Sequence, residues 1–156
     1  MEQMKNEFGI QKTYFDAVTF VPLSEERWVE RGFNQAEELA RGAALAGGRT
    51  GSGLPLLNLL MRTRHTDKQS FKSRYERLKN MQGVFQALPN APERLARAIS
   101  QSRRLCYDYA GPIRLLLVDD VYTTGSTVNA CAAVLQNICA GLGSSGEIYS
   151  LTWARS

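Results

Sequence analysis

Histidine is almost missing from this chain, with His65 the single example in 156 residues. Cysteine is scarce as well: Cys106, Cys131 and Cys139 are odd in number and contain no Cys-x-x-Cys pair. These shortages leave too few soft ligands for a structural zinc site and no disulfide framework, so the thiols read as reduced and buried. No stretch approaches the ~20 consecutive apolar residues that a membrane span needs. The opening Met1-Glu2-Gln3-Met4-Lys5 has no signal-peptide apolar core, so the expectation is a cytoplasmic protein with no membrane partner. There is no internal repeat or low-complexity tract. The charge imbalance, 19 basic against 15 acidic residues for a net +4, is too small to identify a polyanion partner by itself.

What is present is ordinary for a globular protein: 44% hydrophobic and 22% charged residues. A chain of this length suits one domain, residues 1–156, and buries roughly 70% of its unfolded surface without staples. Five apolar runs read as strands: Ala17 to Leu23, Leu56 to Met61, Gly83 to Leu88, Ile113 to Val118 and Glu147 to Trp153. Helical spacing recurs at Ala36, Leu39, Ala40, Ala43 and Ala44, and again at Val128, Cys131, Ala132, Leu135, Ile138 and Cys139. Leu95, Ala98, Ile99 and Ser102 suggest a short helix begun by Pro92 and Glu93. Helices between strands imply an α/β fold, a doubly wound, mostly parallel five-stranded sheet flanked by helices. The remainder of residues 91–110 has no assigned role.

The most informative run is Leu115-Leu116-Leu117-Val118-Asp119-Asp120-Val121-Tyr122-Thr123-Thr124-Gly125-Ser126-Thr127. Its apolar start suits a strand covered on both faces. Asp119 and Asp120 then place two adjacent like charges at a strand's carboxyl end, where a ligand hydroxyl, a cation or solvent has to compensate them. From Thr123 to Thr127 every side chain is small or hydroxylated. Backbone N–H groups can therefore converge on an anion at the start of the following helix, whose dipole favours phosphate. A Walker A loop is excluded because no Gly-Lys-Ser/Thr follows, and a dinucleotide fingerprint because the turn holds one glycine. The plain alternative is a strand–turn–helix with two solvated acids.

This pattern resembles the motif of type I phosphoribosyltransferases that binds phosphoribosyl pyrophosphate (PRPP). The resemblance implies that Asp119 and Asp120 hold the ribose hydroxyls and that the stretch Val121, Tyr122, Thr123, Thr124, Gly125, Ser126 and Thr127 cradles the 5′-phosphate. A second stretch, from Pro22 to Gln35, carries Arg27, Arg31, Gly32 and Asn34 at the end of the first strand. In the same family the corresponding loop binds the pyrophosphate leaving group. The plain reading is a solvated loop with Asn34 as a helix N-cap. Val21-Pro22-Leu23 with Arg31-Gly32-Phe33-Asn34-Gln35 narrows the resemblance to ComF-like, competence-associated proteins of bacteria.

From Arg62 to Lys79 seven basic residues (Arg62, Arg64, Lys68, Lys72, Arg74, Arg77, Lys79) face two acids, Asp67 and Glu76. Residues 62–82 thus read as a basic flexible loop, and Thr66-Asp67-Lys68-Gln69 and Lys72-Ser73-Arg74 again resemble ComF-like proteins, in the position of the hood that closes over PRPP. A plain solvated basic loop or a nucleic-acid patch is the other reading. Ser150-Leu151-Thr152-Trp153-Ala154-Arg155 resembles the last strand of the same proteins. The resemblance departs in two ways: the N-terminal cysteine-rich zinc module typical of ComF proteins has no counterpart here, as expected of a short variant or of a trimmed chain, and the segment from Ala91 to Ala110 is longer than usual.

The resemblance implies phosphoribosyl transfer from PRPP to an unidentified nitrogenous acceptor with release of pyrophosphate. Catalytic roles fall to Asp119, Asp120, Arg31, Lys72 and Arg74, and binding roles extend to Arg64. Mg²⁺ would arrive bound through PRPP or pyrophosphate rather than at a protein metal site. Family members acting on 6-oxopurines usually have an acid where this chain has Thr123, which argues against hypoxanthine or guanine as acceptor. The rival is a noncatalytic PRPP-responsive or nucleic-acid-binding module in DNA uptake or regulation. A homodimer is compatible with either.

Overall fold

Strand β1 (Ala17–Phe20) consists of four consecutive buried residues. Such a strand needs cover on both faces, and it lies parallel to β4 (Ile113–Tyr122), with Ala17 opposite Leu115 and Phe20 opposite Val118. On its other edge β4 pairs in parallel with β5 (Gly146–Arg155), from Ile113 opposite Gly146 to Tyr122 opposite Arg155. The structure, a computed structural model, describes residues 15–48, 52–63, 83–103 and 111–156.

Helices close both faces of this sheet, as parallel strands require. Helix α2 (Gln35–Ala46) buries Ala36, Ala40 and Ala44 against Val18, Phe20 and Val118. Three alanines on one face let the helix approach closely. On the opposite face α4 (Ser126–Gly141) buries Val128, Cys131, Leu135, Ile138 and Cys139 against Ala17, Leu115 and Leu117. Burial pushes the Cys131 thiol up to about 12 and the Cys139 thiol to about 11, so both behave as inert core groups. Cys106, His65 and most of the basic segment lie outside the described residues.

The five expected strands all have counterparts, divided between two sheets: β1, β4 and β5 in parallel, and β2 (Leu60–Arg62) antiparallel to β3 (Phe85–Ala87). The expected strand from Leu56 to Met61 is two pieces. Its first part runs parallel beside β1, where the Val18 N–H donates to the Pro55 carbonyl at 2.9 Å and the Leu57 N–H donates to the Val18 carbonyl at 2.9 Å. Beyond Asn58 the chain leaves β1 and pairs with β3. Leucines on either side of Asn58 hid this bend, because Leu59 and Leu60 are both buried in the main core although they are adjacent. Arg62, expected at the start of a flexible loop, belongs to β2, and its guanidinium lies 5.6 Å from the centre of the Phe85 ring.

Helix α3 (Ala91–Arg103) gives the first part of the unassigned 91–110 segment a structural role. Leu95 and Ala98 are buried, and Arg103 closes the helix on Asp16: Nε donates to Oδ1 and Nη2 to Oδ2, each at 3.2 Å. The Arg114 N–H donates to the same Oδ2 at 2.9 Å, so one buried carboxylate joins α3 to the beginnings of β1 and β4. That anchor sits at the amino ends of the strands and leaves the carboxyl ends for the site. Among the described residues no helix is long and apolar enough to cross a membrane.

Candidate functional site

The acids occupy the carboxyl end of β4, but the strand does not stop before them as expected. Pairing with β5 continues through Asp119 opposite Thr152 and on to Tyr122. Strand alternation therefore separates the two carboxylates: Asp119 is 7% exposed and Asp120 is half-buried. The Asp120 N–H donates to Asp119 Oδ1 at 2.9 Å, and the Val121 N–H donates to Asp120 Oδ1 at 2.9 Å. Burial raises the Asp119 carboxyl from its usual 3.8 to about 6; the Asp120 N–H works against this rise, Asp120's own charge adds to it, and Arg27 opposes it. A carboxyl held there changes charge close to neutral pH.

After Tyr122 the chain turns within three residues. Gly125 adopts φ +77° and starts α4 without a side chain to cap the first turn. A Cβ at Gly125 would stand 2.7 Å from the Tyr122 hydroxyl, so both the backbone angle and the close-packed ring call for glycine here. Thr124 Oγ1 and Ser126 Oγ are 2.8 Å apart, and the Ser126 N–H donates weakly to Thr124 Oγ1 at 3.4 Å. Thr123 and Thr124 are exposed. Hydroxyls and N–H groups at an uncapped helix start form an anion-receptive rim.

The segment following β1, expected as a loop, contains a helix, α1 (Glu25–Arg31), none of whose residues is buried. Its end signals were legible: Ser24 accepts from the Arg27 N–H, Glu25 and Glu26 occupy the first turn, and Gly32 closes the helix at φ +74°. What it lacked was an apolar face, the feature on which helix recognition leans most heavily. Arg31 Nη1 lies 2.8 Å from Gln35 Oε1 and 3.4 Å from Asp120 Oδ2. The end of α1 is thereby drawn against the end of β4, and Arg27 acts on Asp119 through its charge. Half-exposed as it is, this pair contributes little stability, about 0.2–1 kcal/mol at most. It is a contact that a ligand could displace.

Asn34 is committed within the protein. Its Oδ1 accepts from the Ala36 N–H and its Nδ2 donates to the Val21 carbonyl, both at 3.0 Å. It caps α2 and ties it to the end of β1, and so positions Arg31 and Gly32. Beside Asp120 an apolar hollow of about 310 Å³ is lined by Phe33, Leu39, Val121, Trp153 and Ala154 with Gln35 and Glu38. A larger one of about 570 Å³ lies between the end of β1 and α1, against Phe20, Leu23, Trp28 and Asn34.

The structure thus brings together Asp119, Asp120, Arg27, Arg31 and the turn from Thr123 to Thr127. Arg64, Lys72 and Arg74 lie outside the described residues. Sequence reasoning missed Gln35, which orients Arg31, and Trp153 and Arg155 from β5. Arg155 stands 5.9 Å from the centre of the Tyr122 ring. Among the described residues no group of three or more His, Cys, Asp or Glu side chains is placed to hold a metal ion.

Three proteins are similar to the chain over most of its length. Over 116 residues, 74% of this chain and 40% of the relative, it is 32% identical to Competence protein ComFC of Streptococcus pneumoniae. Over 136 residues, 87% of this chain and 43% of the relative, it is 32% identical to Competence protein ComFC of Bacillus subtilis. Over 124 residues, 79% of this chain and 45% of the relative, it is 31% identical to Competence protein F of Haemophilus influenzae. The chain spans less than half the length of these curated relatives. No family model matches it. No solved structure matches it either.

Proposed function

The chain belongs to the ComF-like family, and from that premise we propose that it binds PRPP and transfers its phosphoribosyl group to a nitrogen nucleophile, in a role linked to competence. The observation that carries this reading is the end of β4: two adjacent carboxylates, a three-residue turn and an uncapped helix start follow one another, with Arg31 3.4 Å from Asp120. Carboxylates suit vicinal ribose hydroxyls, the turn suits a terminal phosphate, and the arginines of α1 suit a second, more highly charged phosphate group.

In the proposed reaction the bond from C1 of the ribose to pyrophosphate breaks, the C1–N bond forms, and the nitrogen loses a proton. Asp120 accepts one ribose hydroxyl on the oxygen it shares with Arg31, and Arg31 is released toward the pyrophosphate. Asp119 holds the other hydroxyl, and its charge favours the positive charge that develops on the ribose ring. Thr123, Thr124, Ser126 and the first N–H groups of α4 fix the phosphate end, so that the reacting carbon is held in line. Mg²⁺ fits this site as a companion of the substrate: the two adjacent carboxylates offer hard oxygen donors but no complete protein cage, and the ion would neutralise pyrophosphate charge.

The test is calorimetry of PRPP with Mg²⁺ on the full chain and on Asp119→Asn/Asp120→Asn. Neutralising two adjacent like charges leaves the fold intact, and PRPP affinity is expected to fall at least about 100-fold, the size of two lost charge-assisted hydrogen bonds. Unchanged affinity in the folded double variant removes the acids from the ribose. Binding of single-stranded DNA with a steep salt dependence and no PRPP binding at all favours the nucleic-acid module instead.

A further inference from the structure

Strand β5 is the last strand of its sheet, and among the described residues nothing pairs with its outer edge. It is ten residues long, and it exposes Tyr149, Leu151 and Trp153, the last of them 81% exposed. Alternation puts these three on one face, together with Glu147 at the beginning and Arg155 at the end. Long, apolar, open edges of this kind are usually shortened, charged or covered, because they template pairing with another strand.

The order of residues on this face specifies which strand. Counted outward from Leu151, Tyr149 is matched by Trp153 and Glu147 by Arg155, so the sequence of the face is complementary to itself when reversed. We propose that β5 pairs antiparallel with β5 of a second copy of this chain, on a two-fold axis at Leu151, joining two three-stranded sheets into one of six. In this register Leu151 meets its own counterpart, Trp153 meets the second copy's Tyr149, and Arg155 meets the second copy's Glu147, whose Oε2 also accepts from Arg114 Nε of its own chain at 2.8 Å. Directly opposed residues of an antiparallel pair have Cβ atoms about 4.5–5.5 Å apart, so aromatic meets aromatic and cation meets anion at contact distance. A two-fold interface requires this self-complementarity, whereas an unrelated partner strand would not. Sliding the register by two residues turns Glu147 and Arg155 from directly opposed into diagonal neighbours and opposes Leu151 to an aromatic, so one alignment suits the positions best. Trp153 also lines the hollow beside Asp120, and the second copy's Tyr149 therefore completes one wall of that hollow.

The test is sedimentation equilibrium of the full chain with two sets of variants. Wild type is expected to dimerise. Leu151→Arg, which sets two cations face to face on the axis, is expected to weaken the dimer more than 10-fold. Arg155→Glu opposes two acids at each end and is expected to weaken it several-fold, while Arg155→Lys, which keeps a cation opposite Glu147 and leaves the Arg114–Glu147 pair untouched, is expected to preserve it. Leu151→Cys in a Cys106→Ser background is expected to form an intermolecular disulfide on mild oxidation, since Cys131 and Cys139 are buried. A wild-type chain that stays monomeric, or a dimer whose strength ignores the charge reversal at Arg155 and whose Leu151→Cys variant does not cross-link, overturns the proposal. PRPP binding is read separately by calorimetry, and a monomer that still binds PRPP overturns this inference while leaving the functional reading in place.

Discussion

Strands β4 and β5 have the same length, ten residues, and run parallel as hydrogen-bonded neighbours, yet they serve opposite purposes. β4 is flanked by strands on both edges and helices on both faces; its middle is buried and its polar end carries the adjacent acids Asp119 and Asp120. β5 has one free edge among the described residues and is half-buried or exposed throughout. Apolar residues in a central strand are therefore about packing. In an edge strand beyond the cover of α2 the same residue types have little of their own chain to pack on, and they make sense as a contact surface.

Leucine-to-alanine substitutions separate these two uses most strongly. Leu115→Ala in β4 removes a side chain that is fully buried, and is expected to cost about 2–5 kcal/mol in urea unfolding. Leu151→Ala in β5 is expected to cost less than about 0.5 kcal/mol at concentrations where the chain is monomeric. The comparison fails if the two losses are alike in dilute protein. It sharpens if the loss at Leu151 grows with protein concentration, as linkage to a dimer demands.

The polar end of β4 gives a second, smaller contrast, this time in pH. Asp119 is protonated more readily in the folded protein than in the unfolded chain, so its contribution is most favourable below about pH 4 and is lost as pH rises through about 6. Asp119→Asn, which cannot ionise, is therefore expected to be more stable than wild type above pH 7, by up to about 2–3 kcal/mol, with the gain shrinking toward zero near pH 4. Thermal unfolding of both proteins from pH 4 to pH 8 checks the sign. A gain that is constant with pH would mean that burial does not disfavour the charged form.

Much of the site was legible because its signals are local. The acids, the small-residue turn and the apolar stripe of α4 lie within one continuous stretch, and the alanine face of α2 has a clear helical period. What could not be read depends on distant partners or lacks an apolar pattern. The continuation of β4 through Asp119 and Asp120 depends on β5, some thirty residues away. The closure of Arg31 on Asp120 depends on how α1 lies, and α1 itself buries nothing. The bend after Asn58 was hidden by the leucine pairs on either side of it, since periodicity cannot distinguish one buried strand from two short pieces. Arg103 on Asp16 joins residues far apart in sequence and could be recognised only from the fold.

The central claim is that the end of β4 and the start of α4 form a PRPP site, and the most direct measurement is thermal unfolding with PRPP and Mg²⁺ in wild type and Gly125→Val. A ligand at 100 times its Kd stabilises by about 2.7 kcal/mol, which for a chain of this size raises Tm by roughly 5–10 °C. Ribose 5-phosphate, lacking the pyrophosphate, is expected to raise it less. Gly125→Val lowers the starting Tm, because valine is strained at φ +77° and its side chain displaces the Tyr122 ring, and it is expected to abolish the shift by blocking the turn. No shift in wild type at saturating PRPP, or an undiminished shift in Gly125→Val, would contradict the account.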